Sequence, residues 1–120
     1  MKALFDTNIL VDYLKGFPQA RDELGRFEDS AISMITWMEV MVGATLENEV
    51  ATRQFLRRFV LLPVDDAVAE QAVLARRKFR MRLPDAIILA SALVHDRLLV
   101  TRNSKDFPED LPGVRIPYRL

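Results

Sequence analysis

The sequence predicts an α/β domain, a three-layer α/β/α sandwich around a central, mainly parallel sheet. Short apolar runs alternate with helix-period segments along the chain, which implies right-handed crossovers and a sheet covered on both faces. Half of the 120 residues are hydrophobic and 28% are charged, the composition of an ordinary globular domain. Acidic residues stand directly after two of the apolar runs, at the carboxyl ends of strands, where sheets of this class bind ligands.

Each element has its own signal. Ala3-Leu4-Phe5 is a strand ending at Asp6, and Ile9, Leu10, Tyr13 and Leu14 mark a helix that Gly16 caps. Pro18 opens a short helix through about Phe27, and Ser30-Ala31-Ile32-Ser33 follows as a second buried strand. A third helix is expected from Thr36 to Leu46, and a fourth contains Phe55, Leu56 and Phe59. Leu61-Leu62-Pro63-Val64 reads as an edge strand, because proline cannot donate to a central ladder. Asp65 or Asp66 caps the next helix, which Val68, Ala72 and Ala75 carry toward Arg80. Pro84 starts another, to about His95. Leu98-Leu99-Val100 is a fourth strand, and Val114-Arg115-Ile116 is read as a fifth. No repeat or linker interrupts the pattern, so residues 1-120 read as a single domain. A chain of this length buries roughly two thirds of its unfolded surface.

The absence of cysteine excludes a disulfide framework and a thiolate metal site. No apolar stretch approaches the roughly 20 residues of a membrane span, and no targeting segment is visible, so the expected location is cytoplasmic. Seventeen basic residues balance seventeen acidic ones, and net charge therefore names no nucleic-acid partner. Distribution says more: residues 52-82 carry eight Lys/Arg against three Asp/Glu, whereas residues 1-51 carry four against nine. Arg53, Arg57, Arg58, Arg76, Arg77, Lys78, Arg80 and Arg82 form a basic middle that either holds phosphates or solvates helix faces.

Four acidic stations stand out: Asp6 after the first strand, Glu39 in the third helix, Asp85 at a helix start and Asp106 after the fourth strand. Asp6 is well placed as an N-cap, and Asp85 in a first turn gains from the macrodipole, so each also has a purely structural explanation. Glu39 shares a helical face with Ile35, Thr36, Val42, Gly43 and Leu46, and a carboxylate facing a core needs a counter-charge or a cation. No Lys or Arg lies between Arg26 and Arg53 to serve it locally. Asn103 and Asp106 are three apart, so a helical turn would aim both the same way, although either also suits a turn.

Taken together, four segments resemble the PIN-domain family, and within it the VapC-like toxins, across essentially the full chain. They are Phe5-Asp6-Thr7-Asn8, Ser33-Met34-Ile35-Thr36-Trp37-Met38-Glu39, Leu83-Pro84-Asp85-Ala86-Ile87-Ile88-Leu89-Ala90-Ser91-Ala92 and Val100-Thr101-Arg102-Asn103-Ser104-Lys105-Asp106-Phe107. The resemblance implies a metal-dependent endoribonuclease, the toxin of a toxin–antitoxin pair, restrained by a VapB-like antitoxin. By that resemblance Asp6, Glu39 and Asp85 hold Mg²⁺ or Mn²⁺, Asp106 is the fourth acid and Asn103 a supporting ligand. Thr7, Asn8 and Thr36 orient the carboxylates. Hard Mg²⁺ prefers such oxygen donors and keeps water while it binds phosphate. Arg76, Arg77, Lys78, Arg80 and Arg82 are the candidate RNA contacts, and His95, in a last helical turn, is assigned a dipole contact rather than catalysis.

Two other functions share this architecture. A phosphoacceptor receiver-like domain would want a lone Asp after the third strand, which Asp65 partly supplies; an inert PIN-like binding module would have no need of Asp6, Glu39 and Asp85 together. Trp37, Met38, Val40, Met41 and Val42 almost encircle one helix, which leads us to expect a homodimer.

Overall fold

The computed structural model describes residues 1–107 and 111–120. In chain order the elements are β1 (Lys2–Phe5), α1 (Thr7–Leu14), α2 (Pro18–Leu24), β2 (Asp29–Ser33), α3 (Met34–Val42) and α4 (Glu49–Leu56). They continue as β3 (Val60–Leu62), α5 (Asp66–Phe79), α6 (Leu83–Val94), β4 (Leu98–Val100) and β5 (Val114–Arg115). The five strands pair in the order β3-β2-β1-β4-β5, every pair parallel. This is the α/β/α sandwich that the alternating pattern predicts, with β3 at an edge.

Two cores flank the sheet, because side chains of a strand alternate between its faces. Leu4 packs toward α5 and α6 with Val68, Ala72, Ile88 and Leu89. Its neighbours Ala3 and Phe5 face α1 to α4 with Ile9, Leu10, Val40 and Phe55. Phe5 meets Phe27 and Phe59 edge-on at centroid distances of 5.7 and 6.2 Å, and Tyr13 stacks on Phe55 at 4.8 Å. Such pairs add about 1 kcal/mol each beyond their buried area. At the amino end of the sheet, Arg97 Nη1 donates to Ala3 O and to Asp29 Oδ1, at 3.2 and 2.8 Å, and ties β1 to β2.

Several boundaries differ from expectation. Helix α2 stops at Leu24, not Phe27, because Gly25 caps it by donating to the Arg21 and Glu23 carbonyls. Helix α3 begins two residues early, since the Ser33 hydroxyl accepts from the Ile35 N–H at 3.2 Å, and it ends four residues early at the Gly43 cap. Phe59 follows α4 rather than continuing it, and Pro63 follows β3 rather than interrupting it. Asp65, not Asp66, caps α5 by accepting from the Val68 N–H at 3.0 Å. Lys15 caps α1, and Gly16 follows at φ +89°, a conformation that favours glycine. No helix among the described residues is long and apolar enough to cross a membrane.

Candidate active site

Strands β1 and β4 are neighbours, so the residues just past their carboxyl ends, Asp6 and Thr101, meet. The Asp6 N–H donates to Val100 O at 2.9 Å, which fixes that backbone before α1 begins. Asp6 is 4% exposed, and its carboxylate is held on both oxygens. Oδ1 accepts from the Thr7 N–H at 2.7 Å, and Oδ2 from the buried Thr101 hydroxyl at 2.8 Å and the Asn8 amide at 3.3 Å. The Asn8 amide also reaches Thr101 Oγ1 at 3.3 Å, while its oxygen accepts from the Arg102 N–H at 3.1 Å. Asp6 is therefore the N-cap of α1 and a wall of the cleft at once.

That cleft, about 300 Å³, is lined by Asp6, Thr7, Asn8, Val11, Glu39, Arg82, Asp85, Arg102 and Asn103. The Thr7 hydroxyl donates to Glu39 Oε1 at 2.7 Å and lies 3.0 Å from the Thr36 hydroxyl, so all three residues expected to orient carboxylates are at the site. Asp85 sits in the first turn of α6, buried, with Arg82 Nε 3.3 Å from its Oδ2. Asn103 and Asp106 meet not on a helix but in a turn. The Asn103 oxygen accepts from the Lys105 and Asp106 N–H groups, both at 3.2 Å, and its amide donates to Asp106 Oδ2 at 2.7 Å. With its oxygen engaged twice, Asn103 is the residue that shapes the loop and holds Asp106.

Burial pushes the Asp6 carboxyl up to about 6, against the Thr101 and Thr7 hydrogen bonds, with the charges of Asp85 and Glu39 adding to the rise. Burial also raises Asp85; Arg82 opposes this, and Asp106 and Glu39 reinforce it. The acids thus sense one another across the cleft. The donor set consists of hard oxygens alone, which suits Mg²⁺ or Mn²⁺ and not a soft ion. Among the described residues no three acidic, His or Cys groups close around a single point.

The structure corrects the argument that led to Glu39. The residue is exposed, not buried among apolar neighbours, because α3 ends before Leu46, and Val42 and Leu46 are 87% and 97% exposed. Its position at the cleft comes instead from Thr7. Of the candidate RNA contacts only Arg82 lines the cleft. Arg76, Arg77 and Lys78 occupy the last turn of α5, and Arg80 caps it at φ 55°. His95 caps α6 rather than lying in its last turn. Asp65 caps α5 and is not among the residues that line the acidic cleft, where a phosphoacceptor reading would need it. Thr101 and Arg102 were within a recognised segment but had no assigned role; Thr101 was legible as the residue after β4.

A doubly covered parallel sheet with an acidic cleft at its carboxyl end is the arrangement in which small α/β domains of this class place their ligand sites. The PIN domain family model matches residues 3–109, and the chain belongs to that family. It is 30% identical over 124 residues to Ribonuclease VapC19 of Mycobacterium tuberculosis, spanning 96% of this chain and 98% of that one. Its fold superposes on a chain of a toxin–antitoxin complex from Klebsiella pneumoniae with a TM-score of 0.95 and 46% identity, covering 99% and 100% of the two chains. A chain of DNA-bound VapBC from Salmonella typhimurium gives a TM-score of 0.80 at 27% identity, covering 96% of each.

Proposed function

We propose that this chain is a metal-dependent endoribonuclease, the toxin of a toxin–antitoxin pair, acting as one catalytic domain. The observation that carries the reading is Asp6, a buried carboxylate satisfied only by neutral donors and facing Glu39 and Asp85 across a cleft. Similarity to Ribonuclease VapC19 supports the substrate class, and similarity to chains of toxin–antitoxin complexes supports an antitoxin that restrains it.

Asp6, Glu39, Asp85 and Asp106 would hold Mg²⁺ or Mn²⁺, with Asn103 holding Asp106 in place. When bound, the ion supplies charge neutralisation at the phosphate and a hydroxide nucleophile near neutral pH. The chain's own residues do the rest. Thr101, Thr7 and Asn8 fix both oxygens of Asp6, so the carboxylate presents a set orientation without a search over rotamers. Thr7 at once holds Glu39 toward the same cleft. No histidine takes part, since His95 caps the far end of α6.

The test is cleavage of RNA by purified wild type and Asp6→Asn, with Mn²⁺ and with excess chelator. Cleavage by wild type in Mn²⁺ alone, lost in Asp6→Asn, is expected; robust cleavage in chelator overturns the reading.

A further inference from the structure

Arg102 follows Thr101 directly and lines the acidic cleft with Asp6, Glu39 and Asp85. Its Nε donates to Asp12 Oδ2 at 2.6 Å and its Nη2 to Asp12 Oδ1 at 3.0 Å, a two-point grip on one edge of the guanidinium. Asp12 is only 2% exposed, and the Tyr118 hydroxyl donates to its Oδ2 at 2.8 Å. Behind the head group, the Arg102 backbone N–H is itself fixed to Asn8. The side chain nevertheless keeps 34% of its exposure, so the guanidinium is fixed along its Nε–Nη2 edge on a side chain that still reaches the cleft.

A buried ion pair adds little net stability by itself, because desolvation cancels most of the attraction. The molecule contains a second pair of the same kind. Arg115 grips Glu23 at 2.6 and 3.1 Å, away from the cleft, and joins β5 to α2, where Arg26 also meets Glu23 at 3.1 Å. The Asp12 pair differs in opening onto the site. Arg82, the other cation of the cleft, is 75% exposed and touches Asp85 through a single 3.3 Å contact, so it offers charge without fixed direction. Planar, pre-oriented guanidinium is the group that suits a phosphate's oxygens.

We infer that Arg102 is a substrate-binding residue that receives a backbone phosphate of RNA in the cleft, and that Asp12 and Tyr118 are positioning residues that aim it. The inference rests on the ribonuclease reading for its substrate class. It places a directed donor beside the mobile charge of Arg82, in a cleft whose carboxylates Asp6, Glu39 and Asp85 would repel a polyanion.

The test measures binding of a fluorescein-labelled single-stranded RNA oligonucleotide by anisotropy in chelator, across a salt series. Removing Arg102 alone would strand the Asp12 carboxylate, so the decisive variant is the double Asp12→Asn with Arg102→Gln, which leaves net charge unchanged. We expect affinity to fall about tenfold, the loss of one charge-assisted hydrogen bond. The slope of log K against log salt should shrink by about 0.7. Arg102→Lys, which keeps the charge and loses the fork, should bind weakly yet retain the slope. Tyr118→Phe should raise KM for cleavage in Mn²⁺ with kcat little changed. Arg21→Gln on α2 serves as the single-charge control and should bind as wild type does. Equal affinity and slope in wild type and the double variant, or no RNA binding by wild type, overturns the inference. Cleavage in Mn²⁺ is scored separately, so failure of the ribonuclease reading is seen as lost cleavage by wild type even where Arg102 binds RNA as inferred.

Discussion

Among the described residues four carboxylates are buried; Asp85, 6% exposed, has a single contact with Arg82, and the other three are treated in two ways. Asp12 and Glu23 are 2% and 3% exposed, and each is gripped at two points by an arginine. Asp6 is 4% exposed and receives only a hydroxyl, an amide and a backbone N–H. The first two are neutralised within the fold and join the terminal segment to α1 and α2. The third keeps an uncompensated charge next to Glu39 and Asp85, and burial lifts its pKa to about 6. Burial alone therefore does not mark a candidate site acid; burial without a two-point grip by a cation does, in Asp6 and Asp85 alike.

That contrast can be broken by substitution. The largest expected effect is on activity: Asp6→Asn should lower RNA cleavage by at least about a hundredfold, the scale on which a lost charge-stabilising group acts. Glu23→Gln should leave the cleavage rate of the folded protein unchanged. Comparable losses in both variants, measured on matched folded fractions, would erase the distinction.

Stability should separate the same residues in the opposite sense. Glu23→Ala leaves the partly exposed Arg115 and Arg26 without their shared carboxylate and should cost about 1 kcal/mol in denaturant unfolding. Asp6→Asn should gain on the order of 1 kcal/mol in metal-free protein at pH 7. The sign follows from linkage. A carboxyl whose folded pKa of about 6 exceeds its unfolded value lets the folded state bind more protons, so its penalty is absent below the unfolded pKa. The penalty grows as pH climbs from about 3.9 to about 6 and is complete above. Metal-free wild type should therefore lose stability relative to Asp6→Asn across that interval, and parallel curves would contradict the assignment.

Thr101→Val sharpens the comparison further, by removing the strongest neutral partner of Asp6. It should raise the Asp6 pKa again and move the acid limb of the cleavage pH profile upward. An unmoved limb would show that this bond does not tune the site. The smallest effect belongs to Arg82→Gln, whose exposed contact with Asp85 should change stability by less than about 1 kcal/mol.

Much of this was legible in the chain. Asp6 and Asp85 could be placed because strand ends and helix starts are local signals, written in Phe5-Asp6 and Pro84-Asp85; Asp106 lies in a turn that carries no such signal. Glu39 was found by a sound resemblance and an unsound derivation, since the apolar run from Trp37 to Val42 hides the cap at Gly43 that ends α3. The Asp12–Arg102–Tyr118 grip was not legible at all: Asp12 lies 90 and 106 residues from its two partners and meets them only once β1, β4 and the terminal segment are assembled. Which members of the basic run from Arg76 to Arg82 reach the cleft was hidden for the same reason, because sequence proximity says nothing about which face turns toward it; Arg82 does. Met38 and Val42 are exposed, which keeps self-association through α3 open to light scattering at micromolar concentration.

Everything above hinges on Asp6 being buried for an ion and not for the fold. Thermal melts of wild type and Asp6→Asn at pH 7, with chelator and with Mn²⁺, read this in one experiment. Mn²⁺ should raise the melting temperature of wild type, by an amount that grows with its concentration, and should do little for Asp6→Asn. In chelator the variant should melt above wild type. A variant that melts lower in chelator, together with a wild type indifferent to Mn²⁺, would mean that Asp6 is a helix cap and nothing more.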